Sequence, residues 1–237
     1  MIEVRDVEKS FGALKVLQRV SFQANEGQCV ALVGPNGCGK TTLLKCILGM
    51  VVPDSGTISL AGKPVIGDWT YRSGIGYMPQ IGHYPEQMTI GQVIDMLSDI
   101  RQAETHRDDD LIKAFALSQL YNKRMGTLSG GTLQKVSATI AFLTSPPVLI
   151  LDEPTAGLDP VSAEILCEKI IAEQSRGKLV IITSHVLSEL DDLVSHVAYM
   201  QDGKLLFHKT LSDLKESTGT QKLSKAIARI MTKEVVC

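Results

Sequence analysis

Gly34-Pro35-Asn36-Gly37-Cys38-Gly39-Lys40-Thr41 has the spacing G-x-x-x-x-G-K-[ST]. That spacing suits a polyphosphate. Glycines let the backbone turn tightly, so that successive N–H groups face one anion. A helical pattern, TTLLKCILG, follows at once and adds the positive end of its dipole. Lys40 brings a point charge within reach of β- and γ-phosphates. The Thr41 hydroxyl is suited to Mg²⁺, and Thr42 falls near an α-phosphate. Cys38 fits the loop sterically and is an expected target for thiol-reactive agents.

A second chemical signal lies far along the chain. The apolar run Val148–Leu151 leads directly into Asp152-Glu153-Pro154. Carboxylates at the C-terminal end of a buried strand sit where open α/β sheets bind ligands. Asp152 fits support of Mg²⁺, directly or through water, and Glu153 fits a general base on a water aligned with a γ-phosphate.

The elements that position these groups follow from apolar patterning. Strand-like stretches at Ile2–Val7, Val16–Phe22 and Gln28–Val33 are punctuated by Gly12 and Asn25–Gly27. The continuous runs VALV and VLIL suit strands buried on both faces. From about Pro85 to Leu143 the texture is helical: Ile90, Val93, Ile94 and Leu97 recur at helical spacing, as do Leu111, Ile112, Phe115, Ala116 and Leu120. The polar stretch RQAETHRDDD connects the two. A helix at Pro160–Gln174, a strand at Lys178–Thr183, a helix at Val186–Val194 and a strand at Val197–Met200 are then expected. This alternation predicts an α/β fold with a mostly parallel sheet, an N-terminal antiparallel β subdomain and an inserted helical lobe at about 85–145. The cassette is expected to span 1–215, with a short C-terminal helix or tail at 216–237 whose apolar Leu223, Ile227, Ile230 and Met231 dock on their own domain.

Leu128-Ser129-Gly130-Gly131, taken with the two sites above, resembles the signature of the ATP-binding cassette (ABC) family of P-loop NTPases. The resemblance runs from about Ile2 to Leu214 in the family's order. Gln80 resembles the Q-loop glutamine, Ala156-Gly157-Leu158-Asp159 the D-loop, His185 the switch histidine, and Phe11 the aromatic that stacks on adenine. It implies an ATPase using ATP and Mg²⁺. Glu153, His185 and Gln80 would serve catalysis, and Thr41, Gln80 and Asp152 the metal. Gly34 to Thr42, Phe11 and Ser129, Gly130 and Gly131 would bind nucleotide, the signature taking the γ-phosphate held by an opposite protomer. Serine is a good N-cap, and exposed N–H groups at a helix start suit that phosphate. The signature's usual final glutamine is Thr132 here, which puts any side-chain contact at that position in doubt.

Composition narrows the class. A net charge of −2 argues against a nucleic-acid coat protein. No apolar run approaches the roughly 20 residues that cross a bilayer, so a transporter subunit of this kind requires a separate permease. Its coupling surface is expected near Gln80–Met88. MIEVRDVEKSFG has no apolar core of a secretory signal. Five cysteines without a C-x-x-C pair predict free thiols in a reducing compartment. The expected partners are an integral-membrane permease and a second, identical cassette, with no nucleic acid. The expected location is cytoplasmic and peripheral to the cell membrane. A soluble ABC ATPase of DNA repair or of the ribosome is the alternative. The repair type carries hundreds of coiled-coil residues between phosphate loop and signature, for which the interval from Lys40 to Ser129 has no room. Within the family, YMPQIGHYPEQMTIGQVIDML is most like a copper-processing transporter ATPase that serves nitrous oxide reductase maturation, although His83, Met78 and Met88 read as surface and packing residues.

Overall fold

The computed structural model describes residues 1–101 and 107–234; Cys237 and residues 102–106 of the polar connection lie outside the described residues. In chain order the elements are β1 (Ile2–Phe11), β2 (Leu14–Ala24), β3 (Cys29–Val33), α1 (Lys40–Ile47), β4 (Ser55–Leu60), β5 (Lys63–Pro64), β6 (Ile75–Met78), α2 (Ile90–Ile100), α3 (Asp110–Ala114), α4 (Gly130–Phe142), β7 (Val148–Asp152), α5 (Pro160–Ser175), β8 (Leu179–Thr183), β9 (His196–Gln201), β10 (Lys204–Thr210), α6 (Leu211–Thr218) and α7 (Leu223–Glu234). They form two compact units, one of Met1–Tyr71 with the chain from Ile181 onward, the other of Arg72–Val180.

The first unit holds an antiparallel sheet in the order β2-β1-β4-β5. Its inward side chains include Ile2, Val4, Val7, Leu17, Val20 and Ile58. β3 is buried at every residue, as its unbroken apolar sequence requires, and runs parallel to β9. β9 pairs antiparallel with β10. Helix α1 buries Leu43, Leu44, Cys46 and Ile47. Helix α7 buries Leu223, Ala226 and Ile227.

The helix expected at Val186–Val194 is absent; only a short 3-10 turn forms at Leu187–Glu189. Side chains outcompete the helical backbone here. Ser184 Oγ accepts from the Val186 N–H at 2.9 Å, which closes a local turn. Asp191 is drawn away to accept from the Leu223 N–H at 3.0 Å and to pair with Lys215 at 3.0 Å. Among the described residues Cys38 and Cys46 are free thiols.

In the second unit β6 lies parallel to β7, with Ile75 opposite Val148 and Met78 opposite Leu151. Met78 is therefore fully buried. Thr89 and Gln92 cap α2 reciprocally, each side chain bonding the other's backbone N–H. The helical period expected over Leu111–Leu120 breaks after Ala114. Ala116 turns left-handed at φ 51° and a 3-10 turn carries the chain on. Leu111, Ile112, Phe115 and Leu117 are buried on both sides of this break, so packing overrides the period. Helix α5 carries a buried ionic cluster. Lys169 meets Asp108 at 2.6 Å, Asp110 at 2.7 Å and Glu173 at 3.0 Å, and Glu173 also pairs with Arg176 and Lys178. Burial pushes the Glu173 carboxyl up, but Lys178 and Lys169 outweigh it and hold the carboxyl below its ordinary range.

A histidine pair links β9 to β10. His196 bonds Ser195 through Nδ1 at 2.9 Å and Gln28 through Nε2 at 3.1 Å, and His208 packs 5.7 Å from its ring and edge-on to Phe22. Burial pushes both imidazoles down, His196 lowers His208 further, and Asp213 partly restores His196. The unfolded chain therefore takes up protons first as pH falls through about 6.5, and stability is lost across that window. Urea unfolding at about pH 7 and about pH 5 checks this. His208→Phe is expected to lose less stability between the two than the parent chain does.

Candidate active site

The phosphate loop leaves β3 through a position only glycine can fill. Gly34 has φ 151°, and a Cβ there would stand 2.0 Å from the Met200 carbonyl oxygen. The turn into α1 is made at Gly39, with φ 106°. The first turn of α1 carries no acidic side chain, so its N-terminal field is not cancelled. Lys40 curls back over the loop, donating to the carbonyls of Gly34 at 2.7 Å and Pro35 at 3.1 Å. These bonds hold an ammonium group beside exposed Pro35, Asn36, Gly37 and Thr41, with Thr42 half-buried. Cys38 is only 4% exposed, which corrects the expectation of a reactive thiol: the side chain packs beneath the loop.

Two further residues of the first unit were expected to serve nucleotide. Phe11, at the end of β1, is 51% exposed, so it is no core residue, and Lys9 Nζ stands 5.5 Å from its ring centre. His185 is exposed just beyond β8.

The second unit builds the acidic end. β7 is buried along its whole length and delivers Asp152 at 4% exposure. The next residue, Glu153, takes a left-handed conformation at φ 53° and is half-buried. Gln80, just past β6, donates from Nε2 to Glu153 Oε2 at 2.9 Å. The structure thus brings together two expected site residues separated by more than seventy positions. Tyr77, one strand position from Met78, is pushed up to about 12 by burial and by the negative charge of Asp152. Within this unit Gln80 and Asp152 carry an amide and a carboxylate oxygen, and in the first unit Thr41 carries a hydroxyl, each the kind of hard donor that suits Mg²⁺.

Ser129 is the N-cap of α4, accepting from the Thr132 N–H at 3.3 Å. The Thr132 and Ser129 hydroxyls share a hydrogen bond at 2.9 Å. The residue that replaces the usual glutamine is therefore spent within the cap. Two neighbours that motif reading passed over also touch the acidic end. Gln134, 6% exposed, directs Nε2 to the carbonyls of Glu153 at 3.4 Å and Pro154 at 3.5 Å. Lys135 pairs with Asp159 at 2.9 Å. The available signal was a long polar side chain in helical register with the small buried residues Ser137, Ala138 and Ala141.

Comparison with known proteins agrees with this architecture. The ABC transporter family model matches residues 17–156, a span that contains the phosphate loop, Gln80, the signature and the acidic pair. The chain is 35% identical over 208 residues to the Nod factor export ATP-binding protein I of Burkholderia lata, covering 86% of this chain and 68% of that protein. It is 32% identical over 218 residues to the protein of the same name in Rhizobium etli, covering 90% and 69%. An ATP-binding subunit of an ABC transporter superposes with a TM-score of 0.90 at 28% identity, over 98% of this chain and 99% of that one. A bacterial Atm1-family ABC exporter with ATP bound superposes at 0.83 and 26% identity, over 96% and 41%. This chain belongs to the ABC transporter family. Within it the chain is an ATP-binding cassette, the ATP-hydrolysing subunit of a transporter.

The loop geometry separates its glycines. Gly37→Ala enters open space at φ 80° and is expected to cost about 1 kcal/mol from backbone strain alone. Gly34→Ala must displace a backbone carbonyl and is expected to cost more than about 2 kcal/mol. Urea denaturation of the two variants ranks them.

Proposed function

We propose that this chain powers an exporter through a separate integral-membrane permease, two copies closing on two ATP molecules. The observation that carries the catalytic part is the 2.9 Å bond from Gln80 to Glu153, which holds a carboxylate at the end of a fully buried strand. Similarity to the two Nod factor export proteins supports the transport direction. The finer expectation of copper processing draws no support from these relatives. Among the described residues no group of three His, Cys, Asp or Glu side chains could hold a metal ion, and Met78 is buried in β6.

In this reading the loop amides from Gly34 to Gly39 and Lys40 hold the β- and γ-phosphates. Lys40 exchanges its two carbonyl partners for phosphate oxygens. Phe11 stacks on adenine, and His185 bonds the γ-phosphate. Thr41, Asp152 and Gln80 would hold Mg²⁺, which would neutralise developing phosphate charge when bound. Glu153 accepts the proton of a water whose oxygen attacks the γ-phosphorus as the bond to the β-phosphate oxygen breaks and ADP departs. Ser129, Gly130 and Gly131 present N–H groups to the γ-phosphate of the opposite copy. The exposed stretch around Ile81, which is 66% exposed, receives the permease. The chain is then peripheral on the cytoplasmic face of the membrane. Described residues contain no helix long and apolar enough to cross a membrane.

Glu153→Gln keeps the shape but cannot accept a proton. Turnover is expected to fall by about 10²–10⁴-fold with ATP binding retained. The variant is expected to dimerise in ATP but not in ADP, and Ser129→Arg added to it is expected to abolish that dimer. Phosphate release and size-exclusion chromatography read both. Turnover at the parent rate, or a dimer indifferent to Ser129→Arg, would remove this mechanism.

A further inference from the structure

Glu153 sits in a left-handed conformation that strains any residue with a side chain. Such a conformation persists only where the surroundings over-determine it. Here the surroundings are the first two turns of α4. Gln134 is buried, and a buried amide without partners is costly, so its Nε2 is committed to the Glu153 and Pro154 carbonyls. One residue on, Lys135 holds the Asp159 carboxylate. Asp159 in turn caps α5, accepting from the Ser162 N–H at 2.9 Å and its hydroxyl at 2.7 Å. Lys135 and Ser162 together hold the Asp159 carboxyl far below its ordinary range. Between these anchors α4 lies against the loop itself: a Cβ on Gly131 would meet the Gly157 carbonyl at 3.0 Å.

We propose that Gln134 and Lys135 are positioning residues that brace the 153–159 loop against the signature helix, so that occupation of Ser129–Gly131 sets the place of the Glu153 carboxylate. The inference rests on the reading of Glu153 as the base. Neither side chain touches nucleotide in it. Gln134 grips the backbone on which the base stands, and Lys135 grips the far end of the same loop. The phosphate clamp and the base thereby belong to one braced piece of chain, and Gln80 holds the carboxylate from β6. A nucleotide held by the opposite copy would be sensed at the base through two side chains of α4.

The test compares the parent chain with Gln134→Met, Lys135→Met, Lys135→Arg and Glu153→Gln in one steady-state ATPase assay. Fluorescent-nucleotide titration fixes the fraction of competent sites and circular dichroism checks folding. Gln134→Met keeps length and removes the donor; kcat per competent site is expected to fall about 10–100-fold with KM within about twofold of the parent. Lys135→Met is expected to fall by about 3–10-fold, and Lys135→Arg, which retains the ion pair, to recover most of that loss. If Gln134→Met does not fold, the two Lys135 variants decide: loss with methionine and recovery with arginine support the brace, and equal rates overturn it. Parent-like kcat in Gln134→Met and Lys135→Met, or a raised KM at unchanged kcat, overturns the brace while a dead Glu153→Gln leaves the base reading standing. Full activity in Glu153→Gln removes the base reading itself, and the brace with it.

Discussion

The end of β3 is the constraint on which the first unit depends. β3 is buried on both faces, so its chain can leave only along its own axis, past the carbonyl of Met200. No side chain fits there, and glycine resolves the clash by having none. Because the turn is made with backbone alone, the following amides stay open to an anion instead of being covered by side chains. The buried strand, the bare turn and the uncancelled N-terminus of α1 together leave amide dipoles able to face a polyanion.

The second unit solves a different problem, the fixing of two neighbouring carboxylates. Adjacent negative charges repel and move apart unless something holds them. Asp152 is immobilised by belonging to a fully buried strand, and Glu153 by its backbone twist and by Gln80. The glutamine amide contributes a donor that restrains the carboxylate without adding charge. Charge placement and strand burial are therefore not separable here: a looser β7 would free both acids at once.

Motif residues were legible because their spacing follows local geometry. Gly34 to Thr42, Ser129 as a cap and Asp152 at a strand end each report a turn or terminus encoded within a few residues. β3, β7 and the Ile90–Ile100 helix were legible from unbroken or periodic apolar sequence. The failures have a common cause in long-range partners. Val186–Val194 reads as a helix until Leu223 and Lys215 claim Asp191 from more than twenty residues away. Leu111–Leu120 keeps a helical period that packing interrupts at Ala116. Cys38 looked accessible because the loop reads as exposed, whereas its thiol turns under it. Gln134 belongs to the same class, since its meaning lies in carbonyls nineteen and twenty positions on.

The ionic cluster on α5 restricts how this chain can diverge. Lys169 is 7% exposed, and the Glu173 side chain is fully enclosed. Removing Lys169 strands the enclosed Glu173 and Asp108 charges at a cost of about 3–5 kcal/mol, whereas replacing the enclosed members together with apolar groups of similar volume can be neutral. Single steps away from the present arrangement are therefore steep, and the concerted exchange that would be tolerated needs changes in α5 and around Asp108–Asp110 together. A chimaera that imports the 108–110 segment from a relative must bring the matching stretch of α5 with it. These two stretches, some sixty residues apart in sequence, are tied together through the single ammonium group of Lys169.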